Sequence, residues 1–148
     1  SDVCSSDLDF VLTLGNYLNN EYTLLVQDDG YIINPNLWTD EFLKYDYIGA
    51  PWPGDWGWVQ KSCGKEHYRG IIHRKLSTNR VGNGGFSLRS KKFLEYSSQF
   101  KSCEGWGEDT FLCMINCESA IKYGIKFAPV ELAKRFSLKK VDYLLDFL

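Results

Sequence analysis

Apolar and polar positions along the chain alternate between strand-like and helix-like spacing, and the switches outline a mixed α/β fold. Residues 21–27 are nearly continuously apolar and rich in β-formers, the pattern of a strand covered on both faces. A second, shorter run of the same kind spans 46–50 and is closed by Pro51, Trp52 and Pro53, a stiff segment with little freedom to lose on binding. Residues 86–89 alternate as a third strand. Ser90 is placed to cap a helix over 91–100. A further helix is expected from about 109 to 118, a final strand at 125–128 after Gly124, and a helix at 130–136 behind Pro129. Short helical pieces are expected at 9–20 and 37–43. Residues 54–80 show no strong periodicity and are expected to form a long loop, with six Lys/Arg against one acid between Lys61 and Arg80.

Composition narrows this picture little. Of 148 residues, 44% are apolar and 16% aromatic, so a single globular domain with a real core is expected. A net charge of −2 gives no global attraction to nucleic acid or anionic membrane, and no apolar run approaches bilayer length. Residues 1–8 resemble a translated sequencing-adapter remnant. Residues 9–148 are expected to be one partial domain, cut at both ends. Cys113 and Cys117 share a helix face, but His67 and His73 are not at ligand spacing to them, so buried thiols are expected rather than zinc. With no secretory signal visible, that cysteine usage favours a reducing compartment and the cytoplasm.

Three short stretches carry candidate chemistry. Asp28 and Asp29 end the first strand, where open α/β sheets bind ligands and where two carboxylates suit a cation; Asp-Asp-Gly is also a common turn. Gly82, Gly84 and Gly85 in Val81-Gly82-Asn83-Gly84-Gly85 allow backbone to approach a ligand closely. Glu108 and Asp109 open a helix behind Gly105, Trp106 and Gly107. There an ionised acid beside an aromatic ring suits binding a sugar and taking its hydroxyl proton, although a helix cap would use the same residues.

In order and spacing these stretches resemble the carboxyl-terminal half of a GT-A glycosyltransferase domain, a mixed sheet flanked by helices. Gly84-Gly85-Phe86-Ser87-Leu88 and Gly105-Trp106-Gly107-Glu108-Asp109 are similar to two segments of β-1,4-galactosyltransferase-like enzymes, the second one glycine short. A closer match is an uncharacterised glycosyltransferase-like domain family. Its pattern is like Gln27-Asp28-Asp29, Tyr45-Asp46-Tyr47-Ile48-Gly49-Ala50-Pro51-Trp52, Val81-Gly82-Asn83-Gly84-Gly85-Phe86-Ser87-Leu88-Arg89 and Glu108-Asp109.

The resemblance implies metal-assisted transfer of a sugar from a nucleotide-diphosphate donor to an acceptor hydroxyl, with inversion. It makes Asp29 the first ligand of Mn²⁺ or Mg²⁺ and Asp28 either a second ligand or a contact to the ribose or donor sugar, although Gln27 stands where a plain DxD would have its first acid. It makes Asp109 the general base, with Glu108 binding acceptor or sharing that role. Asn83, Gly84 and Gly85 would lie against substrate, and Trp52 and Trp106 are candidates for stacking on sugar or for core packing. Arg69, Arg74 or Lys75 would contact the diphosphate. The galactosyltransferases complete the metal site with a later histidine, and none follows His73 here. The expected partners are thus a nucleotide sugar and a carbohydrate or other hydroxyl acceptor, and the fragment alone is expected to bind donor poorly. The rival readings are a catalytically silent carbohydrate-binding or scaffold domain of the same fold, and a metal-dependent phosphoryl-transfer enzyme or nuclease.

Overall fold

A computed structural model describes residues 10–28, 30–54 and 66–137. A three-stranded antiparallel sheet, in the order β1-β3-β2, is its centre: β1 is Tyr22–Val26, β2 is Tyr47–Gly49 and β3 is Phe86–Ser90. β3 is the middle strand, pairing Leu24 with Leu88 on one side and Ile48 with Leu88 on the other. The expected strand at 125–128 reduces to one parallel bridge, Tyr47 to Phe127, extending the sheet beyond β2. The architecture is mixed α/β.

The central position of β3 follows from its sequence. Residues 87–90 are all buried, including the polar Ser87 and Arg89, because both faces of the strand are covered. On one face Phe86 meets Phe136 of helix α5 (Val130–Phe136) at 5.5 Å between ring centroids. On the other, Arg89 lies 5.3 Å from the ring centroid of Tyr47, its cross-strand neighbour, and 5.7 Å from that of Phe93. Phe93 belongs to helix α2 (Lys91–Ser97), and Ser90 caps that helix by accepting from the Phe93 amide at 3.1 Å, as its position implies.

Two expectations are corrected. β1 is not covered on both faces: it lies at the edge of this sheet, with Leu24 39% and Val26 47% exposed. Its apolar run reflects β-propensity, not double burial. The basic stretch is not all loop either: Glu66–Leu76 form helix α1, which buries Ile72 and Leu76 while His73 and Arg74 face outward. With His73, Arg74 and Lys75 standing between Ile72 and Leu76, the buried pair is too thin a stripe to read as a period.

The expected 109–118 helix is a composite. A first turn, α3 (Glu108–Thr110), runs into a π-helical turn over Phe111–Ile115 and then α4 (Cys117–Tyr123). The Asn116 amide donates to the Phe111 carbonyl at 3.0 Å, five residues back. Phe111, Leu112, Cys113 and Met114 are all buried, four in a row against the core. α4 ends at Gly124, whose φ of +98° suits a left-handed helix terminus. No helix among the described residues is long and apolar enough to cross a membrane.

Candidate functional site

The site begins with how residues 79–85 are held. The Trp52 amide donates to the Arg80 carbonyl at 2.7 Å and the Asn83 amide to the Ala50 carbonyl at 3.1 Å, so this run lies beside the extension of β2. The Tyr47 hydroxyl donates to the Gly82 carbonyl at 2.9 Å from a fully buried position, and burial pushes its phenol pKa well above the ordinary value. Asn79, also buried, donates to the carbonyls of Val81 and Cys113 at 2.9 and 2.7 Å and accepts from the Val81 amide at 3.0 Å. It fastens the glycine run to the π-helical turn. Glycine at 82 is required by contact, since a Cβ there would lie 2.2 Å from the Trp52 ring. Trp52, 3% exposed, therefore packs the core and offers no face to a sugar.

At the end of this run the bend at Gly84 and Gly85 touches both acid-bearing segments. The Gln27 amide donates to the Gly85 carbonyl at 2.8 Å, one residue past β1, and Asp28 comes next with its side chain exposed. The Gly84 amide donates to Asp109 Oδ2 at 3.2 Å. The far oxygen, Oδ1, accepts from the Thr110 amide at 2.6 Å and from its hydroxyl at 3.3 Å. Asp109 is half-buried, while Glu108 is 7% exposed.

Glu108 is engaged elsewhere. Arg89, 1% exposed, reaches it with both terminal nitrogens: Nη1 contacts Oε1, and Nη2 contacts Oε2 at 3.2 Å. Burial works against the Arg89 charge, but the facing carboxylate outweighs it and holds the guanidinium pKa above its ordinary value. Arg89 Nε also donates to Ser87 Oγ at 3.1 Å, and Ser87 Oγ donates to the Gly84 carbonyl at 3.1 Å. A carboxylate forked by a buried guanidinium is a structural anchor. Sequence reasoning did not single out Ser87, Arg89 or Asn79. The available signal was an arginine at an interior position of an alternating strand, where burial demands a carboxylate partner.

The approach to Glu108 is a tight turn. The Trp106 amide donates to the Cys103 carbonyl at 2.9 Å, and the two central residues, Glu104 and Gly105, have φ of +53° and +82°. Positive φ at both is the type I′ pattern. Trp106 is half-buried and packs against the core.

The remaining expected site residues divide. Asn83 is half-buried beside the bend, its Oδ1 accepting from the Gly85 amide at 3.4 Å. Asp29 lies outside the described residues. Lys75 pairs with Glu118 on α4 at 2.8 Å. Among the described residues no group of three His, Cys, Asp or Glu side chains could hold a metal ion. Cys113 and Cys117 are buried free thiols, and burial pushes both thiol pKa values up. An open cleft of about 510 Å³ is lined by Thr78, Arg80, Lys126, Phe127 and Val130 among others, but by none of the candidate acids.

A family model described as a protein of unknown function (DUF5672) matches residues 14–146. No curated protein and no solved structure matches the chain.

Proposed function

The chain belongs to the DUF5672 family, and from that premise we propose that it is a glycosyltransferase domain of GT-A type, moving a sugar from a nucleotide-diphosphate donor to an acceptor hydroxyl with inversion. One observation carries the reading. A single bend receives the Gln27 amide on Gly85 and sends the Gly84 amide to Asp109, so the segment bearing Asp28 and the carboxylate of Asp109 flank adjacent glycines. That is the juxtaposition a transferase needs between donor phosphates and acceptor base.

Asp109 is the proposed base. Its carboxylate is half-buried beside the bend, and its plane is set by donors on both oxygens. It would take the hydroxyl proton of the acceptor as that oxygen attacks the anomeric carbon, a contribution of about 10²–10⁴-fold. Glu108 has a different task from the one its sequence position suggests: paired to Arg89, it anchors the helix start. The Gly84–Gly85 backbone would face the sugar, with Asn83 and Trp106 flanking it.

The reading includes a divalent cation. Asp28 is an exposed carboxylate at the strand end, and Mg²⁺-type ions are commonly held by one or two carboxylates with substrate phosphates supplying further oxygens. Asp28 and Asp29 would hold Mn²⁺ or Mg²⁺, which when bound neutralises charge on the leaving diphosphate.

The silent-domain alternative has its own support, because the three donors on Asp109 would also suit a purely structural carboxylate. Asp109→Asn separates the two readings. In the full-length protein that carries this domain, the transferase reading expects wild-type consumption of a nucleotide sugar with Mn²⁺ and a loss of at least about 100-fold in the variant, with melting unchanged within a few degrees. Absence of wild-type turnover across a donor panel, or an equally active variant, would remove it.

A further inference from the structure

The contacts around the bend close into a ring. Asp109 Oδ2 accepts from the Gly84 amide, the Gly84 carbonyl accepts from Ser87 Oγ, Ser87 Oγ accepts from Arg89 Nε, and Arg89 forks Glu108, which is covalently joined to Asp109. Every link except the first lies in the interior. Ser87 and Arg89 project from the same face of β3, two residues apart, as strand geometry requires. The central strand thus grips both the bend and the helix start, and the two grips meet at one carboxylate.

We infer that Ser87 and Arg89 are positioning residues that set the orientation of the Asp109 carboxylate through the backbone at Gly84. This rests on the reading of Asp109 as the base. Gly84 is the joint that matters: its amide, in the 83–84 peptide, faces Asp109 and its carbonyl, in the 84–85 peptide, faces Ser87, so the two bonds fix the peptide planes on either side of its Cα. Without the Ser87 hydroxyl the carbonyl loses its donor, the 84–85 plane is freed, and the backbone torsions of Gly84 that aim its amide at Asp109 lose one of their two restraints. Without the Arg89 guanidinium, Ser87 loses its own orienting partner and Glu108 loses its anchor. Threonine at 87 keeps the hydroxyl that reaches the Gly84 carbonyl.

The test compares Ser87→Ala, Ser87→Thr and Arg89→Lys in the full chain, with two readouts. The first is hydrogen exchange at the Gly84 amide relative to β3 ladder amides. Ser87→Ala and Arg89→Lys should speed Gly84 exchange at least about 10-fold while the ladder amides hold, and Ser87→Thr should restore protection. The second is steady-state turnover of a nucleotide sugar. Ser87→Ala should lower kcat roughly 10- to 100-fold with donor KM within about two-fold, and Ser87→Thr should recover most of it. Unchanged Gly84 exchange in Ser87→Ala overturns the inference, as does unchanged kcat. If the wild-type chain turns over no donor, the transferase reading fails, and the exchange data alone then decide whether the ring orients Gly84.

Discussion

Substituting the two glycines of the bend should give opposite results, although they are neighbours. A Cβ on Gly84 would lie 3.1 Å from Asp109 Cβ, 3.2 Å from Arg89 Nη2 and 3.2 Å from Glu108 Oε2. None of these can retreat freely: the guanidinium and carboxylate are locked together in the interior, and Asp109 is held by three donors. Overpacking of this kind costs about 1–3 kcal/mol. Against it stands a gain of roughly 0.4–1 kcal/mol from restricting the unfolded chain. Neither glycine has the positive φ that would add strain. Gly84→Ala should therefore lose about 1–2 kcal/mol, a fall of roughly 3–10 °C in melting temperature. On Gly85 a Cβ would meet Gln27 Oε1 at 2.9 Å, the far end of an exposed, flexible side chain that can swing aside. Gly85→Ala should be neutral or stabilise by up to about 0.5 kcal/mol. Urea unfolding of both variants measures the difference, read as a shift in midpoint at constant slope. Equal midpoints, or a Gly85→Ala loss as large as that of Gly84→Ala, would refute the claim that the bend is packed on its Asp109 side and open on its Gln27 side.

Arg89→Met alone should destabilise by about 3–5 kcal/mol by leaving Glu108 buried and uncompensated, whereas Arg89→Met with Glu108→Leu should recover most of that loss; a double-mutant cycle in urea checks the coupling. The raised phenol pKa of Tyr47 makes stability depend on alkali. Below about pH 10 the contribution is complete; above it the unfolded chain ionises its phenol and the folded one does not, so stability should fall as pH rises. The fall, followed by urea unfolding between pH 9 and 11, should be shallower in Tyr47→Phe, with Tyr22, Tyr96 and Cys113 supplying the remainder. Glu104→Asn should stabilise by roughly 0.5–1 kcal/mol, since asparagine tolerates the left-handed conformation better than glutamate; thermal melting that shows a loss would contradict the type I′ assignment.

What was legible in the sequence was mostly local. The cores of all three strands, the Ser90 cap and the final helix follow from β-propensity, hydroxyl placement and the proline at 129. What stayed hidden depends on partners distant along the chain. The position of β1 at the sheet edge cannot be read from its own residues, because Leu24 and Val26 are as apolar as any covered pair. The division of labour between Glu108 and Asp109 is equally invisible locally: two adjacent acids differ only because Arg89, nineteen residues upstream, faces one of them. Trp52 and Trp106 were indistinguishable as stacking or packing residues until Gly82 was seen beneath the first.

The π-helical turn over Phe111–Ile115 sets the rotational phase of α4. Each residue advances an α-helix by about 100°, so the wide turn absorbs one extra residue and keeps α4 in phase with the helix start at Glu108. Deleting one of the five would leave a regular helix with Cys117 and Ala120 still facing the interior, whereas forcing all five into α geometry would rotate both by about 100°. The irregularity is what lets one continuous helical segment present an acid at its start and an apolar seam farther along.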